Sequence, residues 1–190
     1  AAKGFEAAST AAGIKYKDRT DMALIYSQAP CVAAGTFTKN VVKAAPVKWD
    51  QQVVGESPFV QAVVMNAGIA NACTGQEGMG YCKETADAAG SALGIPSQAV
   101  LVASTGVIGM QLPMDRLRAG IGAMVPKLED TRQAAAAAAQ AIMTTDTHKK
   151  EAAVTFTVDG KIVTVGGMSK GSGMIHPNMC TMLADRKSVV

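Results

Sequence analysis

Phe59-Val-Gln-Ala-Val-Val-Met65 is an apolar run of strand length, and the residues after it decide the fold. It ends in Asn66-Ala-Gly-Ile-Ala-Asn-Ala-Cys-Thr-Gly75, a stretch of small residues that reads as a loop. Met79, Cys82, Ala86, Ala89 and Leu93 then recur at alternating spacings of three and four, which marks one face of an amphipathic helix. Gly94-Ile-Pro96 stops that helix, and Ala99-Val-Leu-Val-Ala103 reads as a buried strand.

Outward from this strand–helix–strand unit the alternation breaks down. Upstream, Met22–Ser27 and Val32–Phe37 are two short apolar runs separated by Gln28-Ala-Pro30, a turn signal, so a strand pair is expected there. Downstream, Pro113 opens a helix with Met114, Leu117, Ile121 and Met124 on one face. Thr131–Met143 is alanine-rich and strongly helix-prone, the composition of a closely packed helix. Ala153–Val158 and Lys161–Val165 flank Asp159-Gly160, a strong hairpin signal. Strands and helices therefore mix without strict βαβ alternation. The expected fold is α/β, a layered domain with mixed or antiparallel sheets, with no internal repeat and no linker long enough to mark a domain boundary.

Composition narrows the function classes. Apolar residues form 48% of the 190 residues and aromatics only 4%, so a sizeable core is built from Ala, Val, Met and Ile. Eighteen basic residues against fifteen acidic ones leave +3, too weak a charge for a nucleic-acid footprint. There is no run of about 18 apolar residues to span a membrane, and no charged-then-apolar leader pattern. Cys31, Cys73, Cys82 and Cys180 form no CxxC pair, and zinc-ligand spacing is missing, so no metal site is expected. Free buried thiols in a reducing cytoplasm are the simpler reading.

Three stretches could carry chemistry. Ser104-Thr105-Gly106 follows a strand; it is either a plain strand-to-loop turn or a place where donors approach a ligand closely enough to form an oxyanion hole. Thr144-Thr145-Asp146 could bind a polar substrate or cap the next element. Gly166-Gly-Met-Ser-Lys-Gly-Ser-Gly173 invites a phosphate-loop reading, but Lys170 precedes its glycine and Met174-Ile-His-Pro177 is no helix start, which leaves a glycine-rich turn as the default.

The full run Gly-Gly-Met-Ser-Lys-Gly-Ser-Gly-Met-Ile-His-Pro-Asn-Met-Cys-Thr-Met-Leu, residues 166–183, closely resembles the self-cleavage signature of the ornithine acetyltransferase family, also called glutamate N-acetyltransferase. There a Lys-Gly-x-Gly-Met segment leads to Pro-x-x-Ala-Thr-Met-Leu. Ala34-Gly-Thr-Phe-Thr-Lys-Asn40 with Lys43-Ala-Ala-Pro46 is similar to that family's N-terminal block, and Asn66–Gly75 to its asparagine-glycine loop. Ser104-Thr-Gly-Val-Ile-Gly109 with Leu112-Pro-Met114 is similar to its oxyanion segment, and Ala141-Ile-Met-Thr-Thr-Asp146 to its substrate block. The blocks occur in the family's order.

The resemblance implies a self-processing acetyltransferase of the N-terminal-nucleophile type, of which this chain is the alpha portion. Cleavage would fall at Cys180–Thr181, where the family usually has alanine before the nucleophile. Thr181 would be the nucleophile, Thr105 and Gly106 the oxyanion hole, and Thr144, Lys170 and Thr181 the substrate contacts. The implied reaction moves an acetyl group from N2-acetylornithine to glutamate in cyclic arginine biosynthesis, with no cofactor and with acetyl-CoA as a possible second donor. The implied assembly is a cytoplasmic heterotetramer of two alpha and two beta chains. Residues 1–180 would be the alpha-chain domain and 181–184 the start of the beta chain. Asp185-Arg-Lys-Ser-Val-Val190 is what a common sequencing-adapter read encodes, so 185–190 are expected to be a non-native tail, a genuine charged terminus being the alternative. Two competing functions stand beside this one: a related self-processing amidohydrolase or aminopeptidase that releases acyl groups to water, and an inactive structural fragment.

Overall fold

The computed structural model describes residues 2–172 and 183–189, the latter by backbone alone. It is an α/β fold of two sheets, in agreement with the layered, mixed architecture expected. The first sheet holds β1 (Phe5–Thr10), β2 (Met22–Cys31), β3 (Val60–Ile69) and β4 (Val100–Val107) in sequential order. β1–β2 and β2–β3 are antiparallel and β3–β4 is parallel, so the single-step crossover through α2 (Glu77–Leu93) supplies the βαβ unit. The second sheet is β5 (Lys150–Val158), β6 (Lys161–Lys170) and β7 (Leu183–Val189), all antiparallel.

Strand alternation divides the first sheet between two cores. Met22, Leu24, Ala62, Val64 and Val100 face Ala86 and Ala89 of α2 and Leu117, Ile121 and Met124 of α3 (Met114–Met124). Ala7, Ala23, Ile25 and Met65 face Ala138, Ala141 and Ile142 on and just after α4 (Arg132–Ala141). The alanine run of α4 lets the helix lie close against the sheet, and Thr131 caps it by accepting from the Ala134 N–H. Gly94 ends α2 in the left-handed conformation, φ 70°, as its sequence position predicts.

α1 (Ala45–Glu56), for which the sequence reading had no signal, lies along the outer edge of β4. Trp49 Nε1 donates to the Val100 carbonyl at 3.0 Å and Asp50 accepts from the Val102 N–H at 3.0 Å, so side chains replace the missing neighbouring strand. β1 was also unforeseen.

Five sequence readings are corrected. Gln28-Ala-Pro30 is not a turn: β2 runs through it, the ladder to β3 shifts register between Tyr26 and Cys31, and proline is tolerated at such an irregularity. Val32–Phe37 consequently forms no strand. Asn66–Ile69 belongs to β3, and Ser104-Thr105-Gly106 lies within β4 rather than after it, because the two segments pair with each other. Gly166–Lys170 is strand, not turn; the hairpin reverses at Asp159 and Gly160, both at positive φ, as Asp-Gly predicts.

Candidate active site

Thr105 and Gly106 sit at the carboxyl end of the parallel β3–β4 pair, the edge of an α/β sheet where ligands are bound. Gly106 is held there by contact: at φ 136° a Cβ would collide with the carbonyl of Gly68 on β3, so only glycine lets the strands approach. Val102 turns its N–H to the outer edge, where Asp50 accepts it, while the Val107 carbonyl turns inward to the Ala70 N–H. Alternation therefore sends the Thr105 N–H into the ladder and leaves the Gly106 N–H on the outer side.

Lys170, the last residue of β6, brings the second sheet to this point. It is 3% exposed. Its ammonium donates to the Thr144 hydroxyl at 2.7 Å and to the Thr105 hydroxyl at 3.4 Å, joining residues 26 and 65 positions away in sequence. Three of the residues singled out by resemblance thus converge, with Gly106 adjacent. Thr181 and Cys180 lie outside the described residues.

Asp146 anchors this junction. Its side chain is fully buried. One oxygen accepts from Lys150 at 2.5 Å and from the Gly171 N–H at 2.8 Å; the other accepts from the Thr144 N–H at 3.3 Å and lies 3.8 Å from the Lys170 ammonium. Burial pushes the carboxyl up, but the hydrogen bonds from Lys150, Gly171 and Thr144 and the charge of Lys170 together pull it down to about 2. Burial lowers Lys170 below the usual lysine range, Asp146 opposes that, and Lys150 adds to it. Two ammonium groups against one carboxylate leave the site net positive, suited to an anionic group such as a carboxylate.

The sequence reading named Asp146 only as part of a Thr-Thr-Asp trio with a capping alternative. That alternative is set aside, since β5 follows and no helix is capped. Arg19, which donates to the carbonyls of Met143 at 2.5 Å and Thr144 at 3.3 Å, carried no signal because its partners are more than 120 positions away. The glycine-rich stretch is no phosphate loop: Gly166 and Gly167 are paired strand residues.

Among the described thiols only Cys82 is buried; Cys31 is partly exposed and Cys73 exposed, so the expectation of buried thiols holds for one of the three. Burial and then the Asp50 charge push Cys82 up to about 12, against a lowering contact from Asn71, which makes it an inert packing group. Among the described residues no group of three or more His, Cys, Asp or Glu side chains could hold a metal, and no helix is long and apolar enough to cross a membrane. A cavity of about 550 Å³ lies along β5 and β6 and includes Lys150, and one of about 470 Å³ lies between β5–β6 and residues of β1 and α4; neither is lined by Lys170, Thr105 or Thr144.

A family model described as the ArgJ family matches residues 6–185. The arginine biosynthesis bifunctional protein ArgJ of Thermotoga neapolitana is 48% identical over 183 residues, covering 96% of this chain and 45% of that protein. That of Symbiobacterium thermophilum is 52% identical over 182 residues, covering 95% and 44%. The chain spans a little under half the length of these relatives. The crystal structure of arginine biosynthesis bifunctional protein ArgJ from Bacillus halodurans matches with a TM-score of 0.89 at 44% identity, covering 94% of this chain and 92% of that one. The structure of ornithine acetyltransferase from Mycobacterium tuberculosis, complexed with ornithine, matches with a TM-score of 0.84 at 41% identity, covering 96% and 94%.

Proposed function

The chain belongs to the ArgJ family, and from that premise we propose that the protein carrying it is a glutamate N-acetyltransferase, moving an acetyl group from N2-acetylornithine to glutamate in arginine biosynthesis. The observation that carries this reading is the buried Lys170 ammonium, held by the Thr144 and Thr105 hydroxyls beside Gly106. It offers a fixed positive charge for an amino-acid carboxylate next to donors suited to an oxyanion. The ornithine complex of the Mycobacterium tuberculosis protein supports the substrate class.

The nucleophile on this reading is Thr181. Its hydroxyl attacks the carbonyl carbon of Cys180, the C–N bond breaks, and the proton passes to the departing nitrogen. Water then hydrolyses the ester, leaving a Cys180 carboxylate and a free Thr181 α-amine. That amine, with an ordinary pKa of about 7.7–8.0, is the general base for the second stage. The hydroxyl takes the acetyl group as an ester while ornithine departs, and the glutamate amine collects it, regenerating Thr181. The oxyanion formed in each step is held by the Thr105 hydroxyl, which keeps its proton free while accepting from Lys170, and by the outward N–H of Gly106. Relatives more than twice as long as this chain, beside solved chains of nearly equal length, agree with a cut near this position.

Residues 1–180 are then the alpha chain and 181–184 the start of the beta chain; 185–190 are read as a non-native tail on their sequence, although the family match includes Asp185 and residues 185–189 pair with β6 as the end of β7. The processed enzyme is a cytoplasmic assembly of two alpha and two beta chains, with acetyl-CoA as a possible second donor. The test is intact mass and acetyl transfer on the full-length protein. Two chains are expected, the second beginning at Thr181, with T181A left uncut and inactive. A wild-type protein that stays uncut yet fully active would sink the mechanism. Transfer to water in preference to glutamate would replace the acetyltransferase with an amidohydrolase.

A further inference from the structure

Lys170 is a long, flexible side chain at the end of a strand whose neighbour β5 is largely exposed. What fixes it comes from outside its own sheet. The Asp146 carboxylate reaches four groups on three segments: the Thr144 N–H in the loop after α4, Lys150 at the start of β5, and the Gly171 N–H and Lys170 ammonium where β6 ends. The Gly171 contact fixes the backbone that carries Lys170. The Thr144 contact fixes the hydroxyl to which Lys170 donates. We propose that Asp146 is a positioning residue for the reaction: it holds the Lys170–Gly171 backbone and the Thr144 hydroxyl in register, so that the Lys170 ammonium stays between Thr105 and Thr144 with one N–H free for the substrate carboxylate.

An ammonium has three donors. Two are used by the threonine hydroxyls, and among the described residues the only remaining partner is Asp146 itself, at 3.8 Å, beyond hydrogen-bond reach. Lys150 takes the shorter contact with the carboxylate, at 2.5 Å. Lys150 thus draws the carboxylate's charge away from Lys170 and keeps the third donor from being consumed. The groups facing Lys170 are therefore Thr105 from β4, Thr144 and Asp146 from the loop after α4, and Lys150 from β5.

This inference rests on the acetyltransferase reading, and two opposed substitutions in the full-length protein test it. D146N keeps an acceptor for the backbone N–H groups and removes the charge. K150Q removes the competing cation from a partly exposed position. The readouts are the pH titration of the Lys170 Nζ by NMR of ¹⁵N-lysine-labelled protein, assigned with K170Q, and kcat/KM for N-acetylornithine against pH. D146N should shift the loss of the ammonium by about one pH unit towards acid. It should also raise KM roughly tenfold with a smaller change in kcat. K150Q should shift the same titration towards alkali. A purely structural Asp146 would lower the thermal midpoint and leave the KM for N-acetylornithine and kcat of the folded enzyme where they were, and that result overturns the proposal. Should D146N fail to fold, K150Q decides alone: without Lys150 the carboxylate engages the third donor, so a raised KM for N-acetylornithine supports the proposal and an unchanged KM overturns it. Absence of acetyl transfer in the unsubstituted protein would remove the functional reading, while the Nζ titration would still show whether the Asp146 charge acts on the Lys170 ammonium.

Discussion

The two sheets solve the same problem differently. The first covers both faces with helices and closes its outer edge with Trp49 and Asp50 from α1. The second leaves β5 bare: Val154, Phe156 and Val158 are each at least 45% exposed, and Ile162 on β6 is 72% exposed. One sheet is a finished core and the other a surface. The proposed site lies where they meet, since Thr105 comes from the first and Lys170 from the second. On the proposed reading, the doubly covered sheet would supply the oxyanion donors and the open sheet the charge that reads the substrate.

Glycine substitution should break this comparison most sharply. G106A in the full-length protein forces a Cβ into the Gly68 backbone at a positive φ, which costs on the order of 1–3 kcal/mol of strain and displaces the strand end that carries the site. Acetyl transfer should fall by at least about a hundredfold, the scale of losing an oxyanion donor. G166A on β6, where a Cβ meets nothing within 4 Å, should leave turnover within a few-fold. Equal losses in the two variants, read by steady-state kinetics, would erase the distinction. Next in size, L117A should destabilise by about 2–5 kcal/mol, whereas I162A should stay within about 0.5 kcal/mol in a chain whose hairpin is as exposed as here. Denaturant unfolding measures both, and a large I162A effect in the full-length protein would show that the hairpin is covered there.

How far the sequence revealed all this follows the same division. Periodicity found α2 and α3 because each buries a continuous stripe: Leu117, Ile121 and Met124 are almost wholly buried where the spacing predicts, while alanine-rich composition found α4. Asp159-Gly160 found the hairpin because its chemistry is local. Strand ends were misread, since Asn66–Ile69 and Ser104–Gly106 look like loops until they pair with each other. β1 is short and α1 weakly amphipathic, and each takes its place from a partner distant in sequence. For the site, Lys170, Thr144, Thr105 and Gly106 came from resemblance, and their residue types alone left turns and caps open. Asp146 and Arg19 act through contacts to backbone and charge that no spacing rule encodes.

K170A probes the meeting point directly. Loss of a charge-assisted contact worth about 1.5–3 kcal/mol should raise KM for N-acetylornithine by roughly 10- to 150-fold. The Thr105 and Thr144 hydroxyls lose a partner but stay hydrogen-bond competent with water, so kcat should fall less than KM rises. T105A should do the reverse and depress kcat, by about a hundredfold if the hydroxyl serves the oxyanion. Kinetics in which both variants change the same parameter would merge the two roles that the two sheets are argued to hold apart.

The smallest effect tests the closed edge of the first sheet. Asp50 is pushed up to about 8 by burial, against a lowering hydrogen bond from the Val102 N–H. A carboxyl that is protonated in the folded state up to about pH 8 but ionises near pH 3.9 when unfolded contributes most below the unfolded value. Its contribution is lost as pH rises towards 8, because between those values the folded state binds the extra proton. D50N keeps an oxygen for the Val102 N–H and has nothing to ionise. It should therefore match the parent near pH 4 and exceed it at pH 8 by on the order of 1–2 kcal/mol, a midpoint rise of about 2–8 °C by calorimetry. The acid limb should be governed instead by Asp146, held down to about 2, whose stabilisation is present above about pH 3.9 and fades as pH falls towards 2. An alkaline loss of stability identical in D50N and parent would mean that the Asp50 carboxyl is already ionised at the sheet edge. α1 would then hold β4 as a charged acceptor rather than a neutral one.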